Sequence, residues 1–162
     1  MELENKIKTI NKSINVVYYT IYLLTIIAVV TIFFLSYSNA GVGQLDPFSP
    51  WGIRISSVYM ILLLLSIPAT FYWFYKKTLK LKAEKDESLR LTPYKKAAYI
   101  RLWVMGILLV IGVVLVYVLR SQSMIFMAAI AAIALYFCKP TAAKLIQELD
   151  LDVDINKFSG RR

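Results

Sequence analysis

The chain has 162 residues, 59% of them hydrophobic, a mean hydropathy of +0.61 and a formal net charge of +9, from 19 Lys+Arg against 10 Asp+Glu. That apolar share exceeds the roughly 45–50% of soluble domains, and a charge of this size raises nucleic acid as a partner until its placement is considered. With no histidine and a single cysteine, Cys138, the sequence excludes histidine-ligated haem, most zinc sites, every histidine-based catalytic arrangement, an intrachain disulfide and a CxxC pair.

Residues 1–13 read as a short amphipathic cytoplasmic helix, because Leu3, Ile7, Ile10 and Ile14 mark one apolar stripe between Lys6, Lys8 and Lys12. The uncharged run from 14 to 35 has 22 residues, enough to cross a ~30 Å hydrocarbon layer as a helix, and residues 14–36 are assigned as the first span. Its length also argues against a secretory signal with cleavage after Ala40, since the apolar core of such a signal has roughly 7–15 residues. Residues 37–53 hold Gly41, Gly43, Pro47, Pro50 and Gly52, a composition for turns in an external loop. Gly41 and Gly43 lack the third glycine and the preceding strand that dinucleotide binding needs.

The second span, 54–75, has four leucines at its centre, Leu62 to Leu65, and ends in Phe71, Tyr72, Trp73, Phe74 and Tyr75, an interfacial aromatic belt. Pro68 removes a backbone hydrogen bond inside it and predicts a kink near Leu64 to Ser66. Residues 76–100 form a basic cytoplasmic loop with Lys76, Lys77, Lys80, Lys82, Lys95 and Lys96 as candidates for docking lipid headgroups or an acidic partner. Serving only to fix topology is the simpler use of the same charges. The third and fourth spans, 101–120 and 121–138, flank Arg120 so closely that they form a tight hairpin. Ala128 and Ala132, at i and i+4, give the fourth span a small face for helix packing. Gly106 and Gly112 are six apart and make no GxxxG ridge. The tail, 139–162, opens with Pro140 and predicts a second amphipathic helix with Leu145, Ile146 and Leu149. Asp150, Asp152 and Asp154 begin like a calcium loop, but Ile155 and Arg161 replace the turn glycine and the bidentate glutamate.

These elements predict an all-α integral membrane protein, a four-transmembrane-helix bundle of two helical hairpins with short cytoplasmic helices at its termini. Seventeen of the 19 basic residues lie at one end, with Arg54 and Arg120 at the other, so both termini and the central loop are expected in the cytoplasm. Basic residues that flank apolar runs point to anionic headgroups and away from nucleic acid. Apart from Arg54, Arg101 and Arg120 at their ends, the spans carry no charged residue to drive coupled transport and no constellation for hydrolysis, so no enzyme, cofactor or metal is expected. The expected role is a non-enzymatic accessory, scaffold or assembly subunit, as a homo-oligomer or with a membrane protein partner, in a bacterial inner membrane. The alternative is a transporter or pore for a neutral or lipid-like substrate, lined by Tyr18, Tyr19, Tyr22 and Thr25.

Overall fold

A computed structural model describes residues 2–38, 45–84 and 86–152. It contains five helices and, among the described residues, no strand: α1 (Glu2–Tyr37), α2 (Pro50–Lys82), α3 (Glu87–Leu119), α4 (Gln122–Phe137) and α5 (Ala142–Leu149). The first three are long and apolar enough to cross a membrane. At ~1.5 Å per residue each runs to roughly 50 Å, well beyond a ~30 Å hydrocarbon layer, so each extends past its apolar stretch. With 16 residues, α4 reaches only ~24 Å. It turns through 73° into α5, and the two together pass the same test of length and composition.

Two segments differ from the divisions drawn on the sequence. Residues 2–13 are the opening turns of α1, continuous with its apolar part. The stretch read as a basic loop is mostly helix: α2 persists to Lys82, α3 begins at Glu87, and only residues 83–86 lie between them. Two causes are visible. Lysine, leucine, alanine and glutamate are good helix formers, and Thr78, Leu91, Tyr94, Ala97 and Ala98 give the extensions a buried face. The Asp86 carboxylate caps α3 by accepting from the Ser88 amide at 2.9 Å. Both α2 and α3 continue through an internal proline, Pro68 and Pro93.

Helix α3 is the axis, packing against α1, α2 and α4. Its two glycines serve different neighbours. A Cβ on Gly106 would lie 2.8 Å from Ile21 Cγ2 of α1, whereas one on Gly112 would strike the Tyr59 hydroxyl of α2 and meet Ala128 Cα of α4 at 3.4 Å. Six residues of helix turn through roughly 240°, so the pair forms two notches facing separate helices. The Tyr59 hydroxyl fills the second notch and donates to the Leu108 carbonyl at 2.9 Å. Ala128, Ala131 and Ala134 form the buried face of α4, with Ala132 partly buried beside them.

The tight α3–α4 turn is made by Arg120, whose φ of 45° ends α3 in the left-handed region. At this end Leu45 donates its amide to the Val118 carbonyl at 3.0 Å. Gly52 lies so close to Asp46 and Pro47 that a side chain has no room. At the opposite, lysine-rich end, the helical extensions enclose a second stretch of core. Ile7 and Ile14 of α1, Leu91, Tyr94, Ala97 and Ala98 of α3, and Leu145, Ile146 and Leu149 of α5 are buried there. The amphipathic face expected for residues 142–149 thus meets its partners. Arg90 fastens the layer, donating to the carbonyls of Leu149 at 3.0 Å, Asp150 at 3.4 Å and Glu84 at 2.8 Å.

Four hydroxyls along the apolar stretches donate within their own helices, unlike that of Tyr59. Thr20, Thr25 and Thr31 donate to the carbonyls of Val16, Ile21 and Ile27, and Ser56 to that of Ile53.

Candidate functional site

The basic side chains expected to dock a partner sit on rigid helix. Lys76, Lys77, Lys80 and Lys82 project from the last two turns of α2, exposed, while Phe74 and Thr78 of the same turns are buried. On α3, Lys96 is exposed and Lys95 partly buried, its ammonium 5.5 Å from the Tyr99 ring. The Tyr99 hydroxyl shares a 2.5 Å hydrogen bond with Ser13 of α1, which ties this face to a third helix. Pro68 is exposed on α2. Of the residues expected to line a pore, Tyr18 is buried with its ring centroid 4.9 Å from that of Tyr22 and tilted by 56°, Tyr19 is exposed, and Thr25 bonds back to its own helix. Val153, Asp154, Ile155 and Arg161, and with them the acidic tail pattern, lie outside the described residues, as do Ala40, Gly41 and Gly43.

Sequence reasoning missed the most unusual group in the molecule. Arg101 is one of the seventeen basic residues grouped at one end, yet it is 6% exposed. Its guanidinium lies over Phe74 with the central carbon 3.8 Å from the ring centroid, a cation–π contact that fixes the plane of the group. Phe74 is held in turn, edge to face with Tyr94 at 5.6 Å. The buried Nε of Arg101 has no hydrogen-bond partner. The guanidinium is thus buried against a ring face, an arrangement that is costly unless a counter-ion or further acceptors complete it.

Arg101 lines a cavity of about 380 Å³ with Phe71, Phe74, Tyr75 and Thr78 of α2, Phe137 at the end of α4, and Lys144 and Glu148 of α5. The polar groups around it are held by their neighbours. Thr78 donates to the Tyr75 carbonyl at 2.8 Å, Lys144 to the Phe137 carbonyl at 3.1 Å, and Tyr94 donates to Glu148 Oε2 at 2.6 Å. A signal for Arg101 was present: Tyr94, Ala98, Arg101, Met105 and Leu109 recur at intervals of three and four, so the arginine falls on the buried stripe of α3.

On the other side of α3, Ile100, Trp103, Ile107, Ile111 and Val114 form an exposed apolar lane. Cavities of about 240 Å³ against Ile21 and Leu24 of α1 and about 390 Å³ against Val58 and Leu62 of α2 border it, and Ile111 lines both. Among the described residues no cluster of three or more His, Cys, Asp or Glu could hold a metal ion, and Cys138 is buried. Compared with family models, curated proteins and solved structures, the chain matches none.

Proposed function

We propose that the protein is a non-enzymatic accessory or assembly subunit of a bacterial inner membrane that presents a rigid, basic cytoplasmic platform to an acidic partner protein. One observation carries this reading: the lysines stand on helices built into a packed core. Fixing topology requires only that positive charge lie near the ends of the spans, and a flexible loop would serve. Here residues 76–82 and 87–100 are helical, joined to α1 by the Ser13–Tyr99 hydrogen bond and to α5 through Arg90. Fixed charges lose less freedom on binding than charges on a loop, which favours a defined partner surface.

The topology that goes with this reading has four crossings and both termini inside. Although α4 is short, it retraces α3 from the Arg120 turn back to the level of Arg101, where Phe137 shares a cavity with that residue. It thereby covers the depth of the 102–119 apolar run. Cysteines placed at Phe48 and Gln122 should react with an impermeant maleimide from outside intact cells, and one at Lys82 only after the membrane is opened. For the platform itself, the full chain is purified in native-lipid nanodiscs with mass spectrometry of the proteins that accompany it. A stoichiometric acidic protein that dissociates in 1 M salt, where the Debye length is about 3 Å, and on changing Lys76, Lys77, Lys80 and Lys82 to Gln, supports the reading. A homo-oligomer or monomer carrying no protein refutes it.

A second reading, a protein that handles a lipid-like substrate, is favoured by the apolar lane on α3. Its two flanking cavities have the apolar lining that an acyl chain fits. Substituting Ile107 and Ile111 with Trp would block such an occupant while leaving the cytoplasmic partner bound.

A further inference from the structure

We infer that the Arg101 cavity is a binding site for the phosphodiester headgroup of one anionic phospholipid. The argument begins with the guanidinium. It is nine-tenths buried and its Nε lacks an acceptor, so the folded chain leaves the hydrogen bonding of this cation incomplete. Among the described residues Arg101 takes part in no hydrogen bond or ion pair. The carboxylate on the same cavity, Glu148, accepts from the Tyr94 hydroxyl through Oε2 and offsets one of the two positive charges there. A planar fork of N–H donors suits a phosphate with two adjacent oxygens. Stacking on Phe74 presents that fork at a fixed angle.

Charge selects among phosphates. Arg101, Lys144 and Glu148 sum to a single positive charge on the cavity wall. A phosphodiester with an uncharged glycerol head, at −1, neutralises it. A phosphomonoester overshoots, and a zwitterionic choline or ethanolamine head leaves it uncompensated. The hydroxyls of a glycerol head would also find acceptors in the Thr78 oxygen and in Glu148.

Position selects the source. The cavity lies where apolar runs give way to basic helix: Phe71, Phe74 and Tyr75 precede Lys76 and Lys77, Arg101 precedes the 102–119 run, and Phe137 ends α4. Under the proposed topology this is the cytoplasmic headgroup level, where a lipid phosphate is already present at high local concentration. Aromatic walls from Phe71 and Phe137 then meet the glycerol and upper acyl carbons. A free phosphate would leave those walls unused.

The test uses the full chain reconstituted in phosphatidylcholine containing phosphatidylglycerol or phosphatidylethanolamine, extracted gently and analysed by native mass spectrometry. The wild-type protein should retain one phosphatidylglycerol per chain in preference to either zwitterionic lipid. Retention should fall roughly tenfold, as expected for loss of one charge-assisted contact, in both Arg101→Met and Lys144→Gln. Because Lys144 is exposed, its substitution leaves the core intact and keeps the test valid if Arg101→Met unfolds. Millimolar inorganic phosphate should not displace the lipid. Equal retention of phosphatidylcholine or phosphatidylethanolamine, undiminished phosphatidylglycerol in Lys144→Gln, or displacement by inorganic phosphate would each overturn the inference, the last by assigning the cavity to a small soluble anion.

Discussion

Replacing Gly112 with alanine places a methyl group against the Tyr59 hydroxyl. The hydroxyl cannot yield without breaking its 2.9 Å bond to the Leu108 carbonyl, and the ring is buried between α2 and α3. Overpacking of this kind costs about 1–3 kcal/mol, offset by roughly 0.5–1 kcal/mol from the better helix propensity of alanine. Tyr59→Phe removes a hydroxyl but leaves Leu108 its intrahelical partner, so its cost is that of an interhelical bond between apolar helices, about 0.6 and at most about 1.7 kcal/mol. In the double variant the obstruction is gone. The nearest atoms to the new Cβ become the ring carbon that carried the hydroxyl, at 3.2 Å, and Ala128 Cα at 3.4 Å, both accommodated by small shifts. Gly112→Ala should therefore be close to neutral in the Tyr59→Phe background, giving a coupling of about 1–2 kcal/mol, well above the ~0.5 kcal/mol scatter of independent sites. The cycle is measured by reversible unfolding in mixed micelles, following the fluorescence of Trp51, Trp73 and Trp103. Additive single and double variants would mean that the Tyr59 hydroxyl does not occupy the glycine notch, and the account of α3 as an axis would fail at its central contact.

Arg90→Gln should release α5 from the basic end, because charge-assisted bonds to the carbonyls of Leu149, Asp150 and Glu84 are lost together; amide exchange across 142–151 should rise while the 102–119 segment stays protected. Thr141→Val removes the side-chain acceptor for the Lys144 amide, 3.2 Å away, and should cost about 1 kcal/mol of α5 docking by the same readout. The Ser88 hydroxyl and amide, both donating to the Asp86 carboxylate, hold its pKa below the usual carboxylate value. A depressed folded pKa means stability that is present above the ordinary carboxylate range and lost as pH falls through the folded value. Amide protection of 88–90 should accordingly weaken on acidification in the wild type and show no such step in Asp86→Asn.

Much of the helical order was legible because charge and hydropathy change abruptly along this chain. The hairpin at Arg120 followed from apolar runs too close together for any other connection, and the amphipathic helix at 142–149 from the spacing of Leu145, Ile146 and Leu149. Helix ends were less legible. Lys-rich sequence near an apolar run carries a topology signal and a helix-forming composition at once, and only the buried faces at Thr78, Leu91 and Tyr94 resolve that ambiguity in favour of helix. Gly106 and Gly112 fail the GxxxG test because that motif presumes one neighbour, whereas these serve α1 on one side and α2 with α4 on the other. Arg101 escaped notice for a related reason: its type matched the charge pattern of the loop, while its register belonged to the core.

The two faces of α3 make the two proposals separable by experiment. Arg101 and Trp103 are two residues apart, a turn of roughly 200°, so the anion cavity and the apolar lane open on nearly opposite sides of the axis. The cavity takes its other walls from α2, α4 and α5, the lane from α1 and α2. An occupant of one need not displace an occupant of the other. The platform lysines are a third locus: none of Lys76, Lys77, Lys80 and Lys82 lines the cavity. Neutralising these four should therefore abolish partner binding while the bound phospholipid persists. Lys144→Gln should do the reverse. If instead the partner and the lipid were lost together in both variants, the lysine surface and the Arg101 cavity would be one electrostatic site, with the lipid headgroup forming part of the surface that the partner reads.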